Sequence, residues 1–216
     1  IENCSSGGLR MDYGMLSRCS IQSTSDQENY LQYAVIAANA PTGVTPEQAA
    51  VWAYPMNHEE SISPDALREE VIFNMVSAML LRIHQSGHLA KLDEERKALV
   101  KQALSVYKTI RPDIRVSRPF WPLGLAGYSD EIVSLGLFVE GKAYLAVWKR
   151  SGAAESVTLP ISDAVRTALD SEKIALSCIY PGPETAEASY DPLEKAVKVA
   201  LPKPVMARLF ELTPDR

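Results

Sequence analysis

One carboxylate and one glycine-rich turn carry most of the chemistry this sequence offers. Asp26 closes the run Ser23-Thr24-Ser25-Asp26, directly ahead of a helix-like stretch. A carboxyl group at a strand-to-helix junction is placed for general acid/base work, although Ser-Asp before a helix is equally an N-cap signal. In the turn Cys4-Ser5-Ser6-Gly7-Gly8, glycines let backbone N–H groups approach a polar ligand and small side chains leave it room. The plain alternative is an ordinary turn around a buried cysteine. Neither the phosphate-loop spacing nor a Gly-x-Ser-x-Gly elbow is present. His84 and His88 have the four-residue spacing of a metal pair, but Gly87 falls at the expected helix end and no third ligand completes a set, so capping and polar packing are expected, with no metal and no cofactor. His58-Glu59-Glu60 reads as solvated loop charge. Trp148 reads as core and Trp121 as packing at a joint, which leaves Trp52 open to a sugar-stacking role.

The elements that must position these residues change period partway along the chain. Up to about residue 112, short strands alternate with helices: Ile1 to Asn3, a helix near Met11 to Arg18, Ser20 to Ser23, then a helix from about Gln27 to Ala38. A third strand is either Thr42 to Thr45 or Val51 to Tyr54. Ser63 and Pro64 open a helix whose apolar stripe, Val71, Met75, Val76, Met79, Leu80 and Ile83, runs on until Gly87. A second long helix begins near Asp93 and stops before Pro112. Beyond residue 116 the pattern alternates every second residue in Ile132 to Val139, Tyr144 to Trp148, Glu155 to Ile161, Ile174 to Tyr180, Ala196 to Leu201 and Val205 to Leu212. Glu140-Gly141-Lys142 is a hairpin connection, and Pro112 to Pro122 is the expected linker. The expected fold class is α/β followed by all-β: a βα series, residues 1–112, then a small antiparallel sandwich, residues 113–216.

Composition narrows the partners. The 216 residues carry 22 Lys plus Arg against 27 Asp plus Glu, a net charge of −5, with no basic run interleaved with aromatics, which argues against nucleic acid. The most apolar stretch, Val71 to Ile83, is interrupted by Asn74, Ser77 and Arg82 and is too short to span a bilayer. Cys4, Cys19 and Cys178 form too sparse a set for a disulfide framework, which fits a reducing compartment such as the cytoplasm. Opening on Ile1 without a methionine, the chain is expected to be a piece of a longer polypeptide.

The stretch Glu2-Asn3-Cys4-Ser5-Ser6-Gly7-Gly8-Leu9-Arg10-Met11-Asp12 resembles the Glu-x-Cys-Ser-Gly-Gly-Gly-Arg-x-Asp signature of glycoside hydrolase family 36, the α-galactosidases. Thr24-Ser25-Asp26 resembles that family's acid/base segment, at the family's interval from Cys4. The resemblance implies the last three βα units of a (β/α)8 TIM barrel followed by a β-sandwich, and a retaining hydrolase of terminal α-galactosides. It implies Asp26 as acid/base, Cys4, Ser6 and Gly7 as contacts to sugar hydroxyls, and a nucleophilic aspartate on a strand upstream of Ile1. The segment alone would then be inactive, with the upstream barrel portion and further copies in a homo-oligomer as partners. Two positions depart from the pattern: Ser23 stands where the family has tryptophan, which removes an aromatic wall and leaves a related glycoside such as an α-N-acetylgalactosaminide open, and Asn29 stands where it has a second aspartate. A non-catalytic carbohydrate-binding or scaffolding fragment, or an unrelated βα protein, are the other readings.

Overall fold

In a computed structural model, which describes residues 1–4, 7–55 and 64–215, the first half builds one four-stranded parallel sheet. Its strands β1 (Glu2–Asn3), β2 (Ile21–Ser23), β3 (Ala49–Ala53) and β4 (Arg82–Gln85) lie in chain order. Helices α1 (Tyr13–Leu16), α2 (Tyr30–Asn39) and α3 (Pro64–Met79) make the crossovers, and α4 (Glu94–Ile114) follows β4. The pleat turns alternate side chains to opposite faces. Asn3, Gln22, Val51 and Ile83 share one face, while Glu2, Ser23, Trp52 and His84 share the other. The first of these faces packs on the helices, where Ala49, Val51 and Ala53 join Tyr33, Ala37, Phe73, Val76, Leu99 and Ala103 in one core.

Helix α3 explains an apolar run too broad for an amphipathic stripe. A helix that is apolar all round must be enclosed, and α3 packs against β3 and β4 on one side and against strands of the second half on the other. Its buried polar groups are each satisfied. Asn74 donates to the Glu70 carbonyl at 3.0 Å, and Ser77 donates to the Phe73 carbonyl at 3.0 Å and accepts from the Trp148 indole at 3.1 Å.

The second half contains two antiparallel sheets. One has five strands: β5 (Arg118–Phe120), β6 (Ile132–Val139), β7 (Lys142–Lys149), β9 (Ile174–Tyr180) and β12 (Met206–Pro214), in the order β5-β6-β7-β12-β9. The other joins β8 (Ser156–Pro160), β10 (Ala188–Asp191) and β11 (Ala196–Ala200), with the short helix α5 (Asp163–Leu169) after β8. Leu145, Val147, Leu159, Val165, Val197, Val199 and Phe210 fill a second core between them. The opposite face of the larger sheet, with Val133, Leu135, Tyr144, Trp148 and Leu209, enters the core of the first half. Glu140-Gly141 forms the expected hairpin, with Val139 opposite Lys142 and Gly141 at φ +73°.

Several expectations are corrected. The helix thought to run to Gly87 ends at Met79, and Arg82–Gln85 is a fourth parallel strand, so the first half has four strand-and-helix units rather than three. Of the two candidates for the third strand, the structure takes the later one, as Ala49–Ala53, while residues 40–42 form a 3-10 turn. The stretch near Met11 to Arg18 is a single short turn of helix preceded by a 3-10 turn at Gly7–Arg10. Helix α4 passes through Pro112 to Ile114, and the expected linker holds β5. Trp148 is core as expected, and Trp121 sits at the joint, its indole donating to the Ala38 carbonyl at 2.7 Å. Ser63 and His58-Glu59-Glu60 lie outside the described residues.

Candidate functional site

Parallel alignment brings the residue after each strand to one end of the sheet, the end where βα loops assemble sites in barrel folds. Cys4 follows β1, Thr24-Ser25-Asp26 follows β2, Tyr54 follows β3, and Ser86 follows β4. Cys4 and Asp26 are exposed there. Ser5 and Ser6 lie outside the described residues, and Gly7 opens the 3-10 turn Gly7–Arg10.

Two buried amides tie that turn to β2. Asn3 donates to the Gln22 side-chain oxygen at 2.7 Å and to the Arg10 carbonyl at 2.9 Å, which holds the far end of the turn over the sheet edge. Gly8 lies so close to β2 that an added Cβ would sit 3.2 Å from the Thr24 carbonyl oxygen. A side chain at this position would push the turn and the Thr24 carbonyl apart by a few tenths of an ångström.

Asp26 is not the cap of α2. Asn29 holds that role, its side-chain oxygen accepting from the backbone N–H groups of Leu31 and Gln32 at 3.0 and 3.2 Å. The departure at position 29 thus has a local structural function. Among the described residues, no hydrogen bond or ion pair engages the Asp26 carboxylate. Nearby, Tyr33 acts as a junction. Its hydroxyl donates to the Ser25 carbonyl, accepts from the Trp52 backbone N–H and shares a hydrogen bond with the Thr24 hydroxyl, each at 3.2 Å. Burial raises the Tyr33 pKa, and the negative charge of Asp26 adds to it. Tyr54 has its pKa raised chiefly by burial and then by the charges of Glu28, Asp26 and Cys4.

The face opposite the helices carries an aromatic group that sequence reasoning only partly anticipated. The Trp52 indole donates to the Ser23 hydroxyl at 3.2 Å, so a tryptophan from β3 lies beside a serine of β2. Trp52 and Tyr54 are near-parallel, at 18° with centroids 6.4 Å apart, and Trp52 meets His84 edge-on at 4.9 Å. His84 also faces Glu2, at 3.6 Å from Nδ1 to Oε1. His84 lies in β4 and His88 beyond Gly87, so the two do not share a helical face. Among the described residues no group of histidine, cysteine and carboxylate side chains has metal-site geometry. None is long and apolar enough as a helix to cross a membrane.

Tyr33, Tyr54 and the Glu2–His84 pair were missed at the sequence level. Only the position of Tyr54 directly after an apolar strand hinted at a role.

No protein-family model and no curated protein sequence matches this chain. Solved structures do. A variant of the GH36 alpha-galactosidase AgaA from Geobacillus stearothermophilus, in complex with raffinose, matches with a TM-score of 0.72 at 20% identity, over 98% of this chain and 28% of that one. The galactosidase domain of the alpha-galactosidase-sucrose kinase AgaSK matches with a TM-score of 0.70 at 18% identity, over 98% and 28%. The alpha-galactosidase from Lactobacillus brevis gives 0.69 at 16% identity, over 100% and 29%. This chain therefore spans less than a third of the length of the proteins it matches, and along nearly all of its own length it is folded like part of a GH36 α-galactosidase.

Proposed function

We propose that this chain is part of a retaining glycoside hydrolase that removes terminal α-linked galactose from oligosaccharides such as raffinose, with Asp26 as general acid/base. One observation carries the reading. Asp26 lies just beyond β2, at the same end of the parallel sheet as Cys4, with its carboxylate exposed and the cap of α2 supplied by Asn29 instead. The fold shared with GH36 α-galactosidases supports it. In this reading residues 1–112 belong to the catalytic barrel as its last four strand units, and residues 113–216 form a C-terminal β-sandwich. Cys4, Ser6 and Gly7 contact sugar hydroxyls. The nucleophilic aspartate comes from an upstream barrel strand of the same enzyme, so the segment alone is inactive. A homo-oligomer working in the cytoplasm completes the proposal.

Retention needs two carboxyl groups about 5 Å apart across the scissile bond. In the first step one attacks the anomeric carbon while Asp26 gives its proton to the leaving oxygen. Two carboxylates that close do not both ionise cheaply, so the pair retains one proton before attack. Glycosylation removes the nucleophile's charge, and Asp26, now a carboxylate, takes a proton from the water that hydrolyses the intermediate. The test is Asp26→Ala in the complete enzyme. Turnover of substrates with poor leaving groups should collapse, and azide should restore rate on an activated aryl galactoside by forming a glycosyl azide. Undiminished hydrolysis of raffinose by that variant would remove Asp26 from the mechanism.

A further inference from the structure

We infer that Trp52 and Tyr54 together form the platform on which the apolar face of the sugar rests, and that this platform selects pyranosides with a continuous C–H patch, as galactose has. The inference deepens the hydrolase reading and rests on it for the sugar's presence at this end of the sheet.

Four features converge. Trp52 stands on the face of β3 opposite the helices and stays partly exposed, whereas Ala50 two residues earlier on that face is fully buried. Its ring is held at two points, by the indole hydrogen bond to Ser23 and by the edge-on contact with His84, so its orientation is fixed before any ligand arrives. Tyr54, two residues on, is stacked near-parallel to Trp52 at 18° with ring centroids 6.4 Å apart, nearer the strand ends. Tyr33 then links the Trp52 backbone to Thr24 and Ser25, which fixes the platform relative to the segment that ends in Asp26.

The surrounding side chains are polar: Glu2, Ser23 and His84. An oriented aromatic surface within such a cleft matches the chemistry of a pyranoside, whose hydroxyls meet polar groups while its C–H groups stack on a ring face. In galactose the axial O4 leaves the hydrogens of C3, C4, C5 and C6 on one uninterrupted face. Glucose, with an equatorial O4, presents no equally continuous patch. Ser23 is small enough to let the indole lie beside it.

The experiment follows indole N–H resonances of the full chain by NMR during titration with methyl α-D-galactopyranoside. The three indoles have different acceptors, the Ser23 hydroxyl, the Ala38 carbonyl and the Ser77 hydroxyl, and are separable on that basis. The Trp52 resonance should move alone, and methyl α-D-glucopyranoside should move it at least several-fold less at equal concentration. Trp52→Phe should retain binding in part, and Trp52→Ala should weaken it about tenfold. A Trp52 resonance that does not move up to roughly 100 mM galactoside, or that responds equally to both sugars, overturns the inference. Should Trp52 respond as expected while Asp26→Ala leaves the complete enzyme active, the catalytic assignment falls and the platform stands.

Discussion

Glu2 on β1 and His84 on β4 lie 3.6 Å apart, although β2 and β3 stand between them. Neighbouring strands are about 4.8 Å apart, so in a flat sheet these backbones would be separated by roughly 14 Å with their side chains parallel. Contact requires the sheet to curl toward this face. The concavity gathers Glu2, Ser23, Trp52 and His84 into one cleft, and it is the curvature expected of strands within a barrel.

That pairing sets a pH dependence. Burial lowers the His84 pKa; Glu2 acts to raise it and Arg82 to lower it further. The folded value lies below the ordinary 6.5, so in the interval between the two the unfolded chain binds more protons. The contribution to stability is complete above the ordinary value and is lost as pH falls toward and through the folded one. The melting temperature should decline between about pH 7.5 and about pH 5, with His84→Gln flattening part of the slope. An equal slope in the variant would assign the effect elsewhere.

The division of labour between Asp26 and Asn29 separates stability from chemistry. Asn29→Ala removes the acceptor for two backbone N–H groups at the start of α2 and should cost about 1 kcal/mol in urea unfolding. Asp26→Ala should leave the unfolding midpoint within experimental error. A comparable loss from Asp26→Ala would return it to a capping role.

Glu69 on α3 and Arg208 on β12 form a buried two-pronged pair at 2.8 and 3.0 Å. Arg208→Met strands the carboxylate and should cost about 3–5 kcal/mol, toward the lower end because Lys203 also reaches Glu69 at 2.9 Å. Combining it with Glu69→Gln should recover much of the loss. Denaturant unfolding of both variants reads this directly.

Gly136 has a steric reason in β6. A Cβ there would sit 2.1 Å from the Phe120 ring, which lies across from it in β5. Gly136→Ala should destabilise by about 1–3 kcal/mol through displacement of that ring, and Phe120→Leu in the same chain should restore part of it.

What was legible in the sequence follows from how clearly each segment declares its period. Ile132–Val139 and Ile174–Tyr180 emerge with the boundaries that alternation set, because turn residues bracket them. Strand β4 was hidden because the apolar run of α3 continues through Leu80 and Leu81 into Arg82 with no glycine or proline to mark the change. Strand β5 was hidden by Pro119 and its proline neighbours, which read as linker. For the site, residue type brought forward Asp26 and the Cys4 to Gly8 turn, and the family resemblance singled out Cys4, Ser6 and Gly7 within it. The partnership of Trp52 with Ser23 joins residues 29 positions apart, and only strand register places them side by side.

The helical layer between the two kinds of sheet has a mechanical meaning. Helix α3 is held on both flanks, by Phe73 and Val76 toward one sheet and through Ser77 and Glu69 toward the other, so one helix ties the two halves together. The β-rich half then serves as a stiff backing plate for the concave sheet.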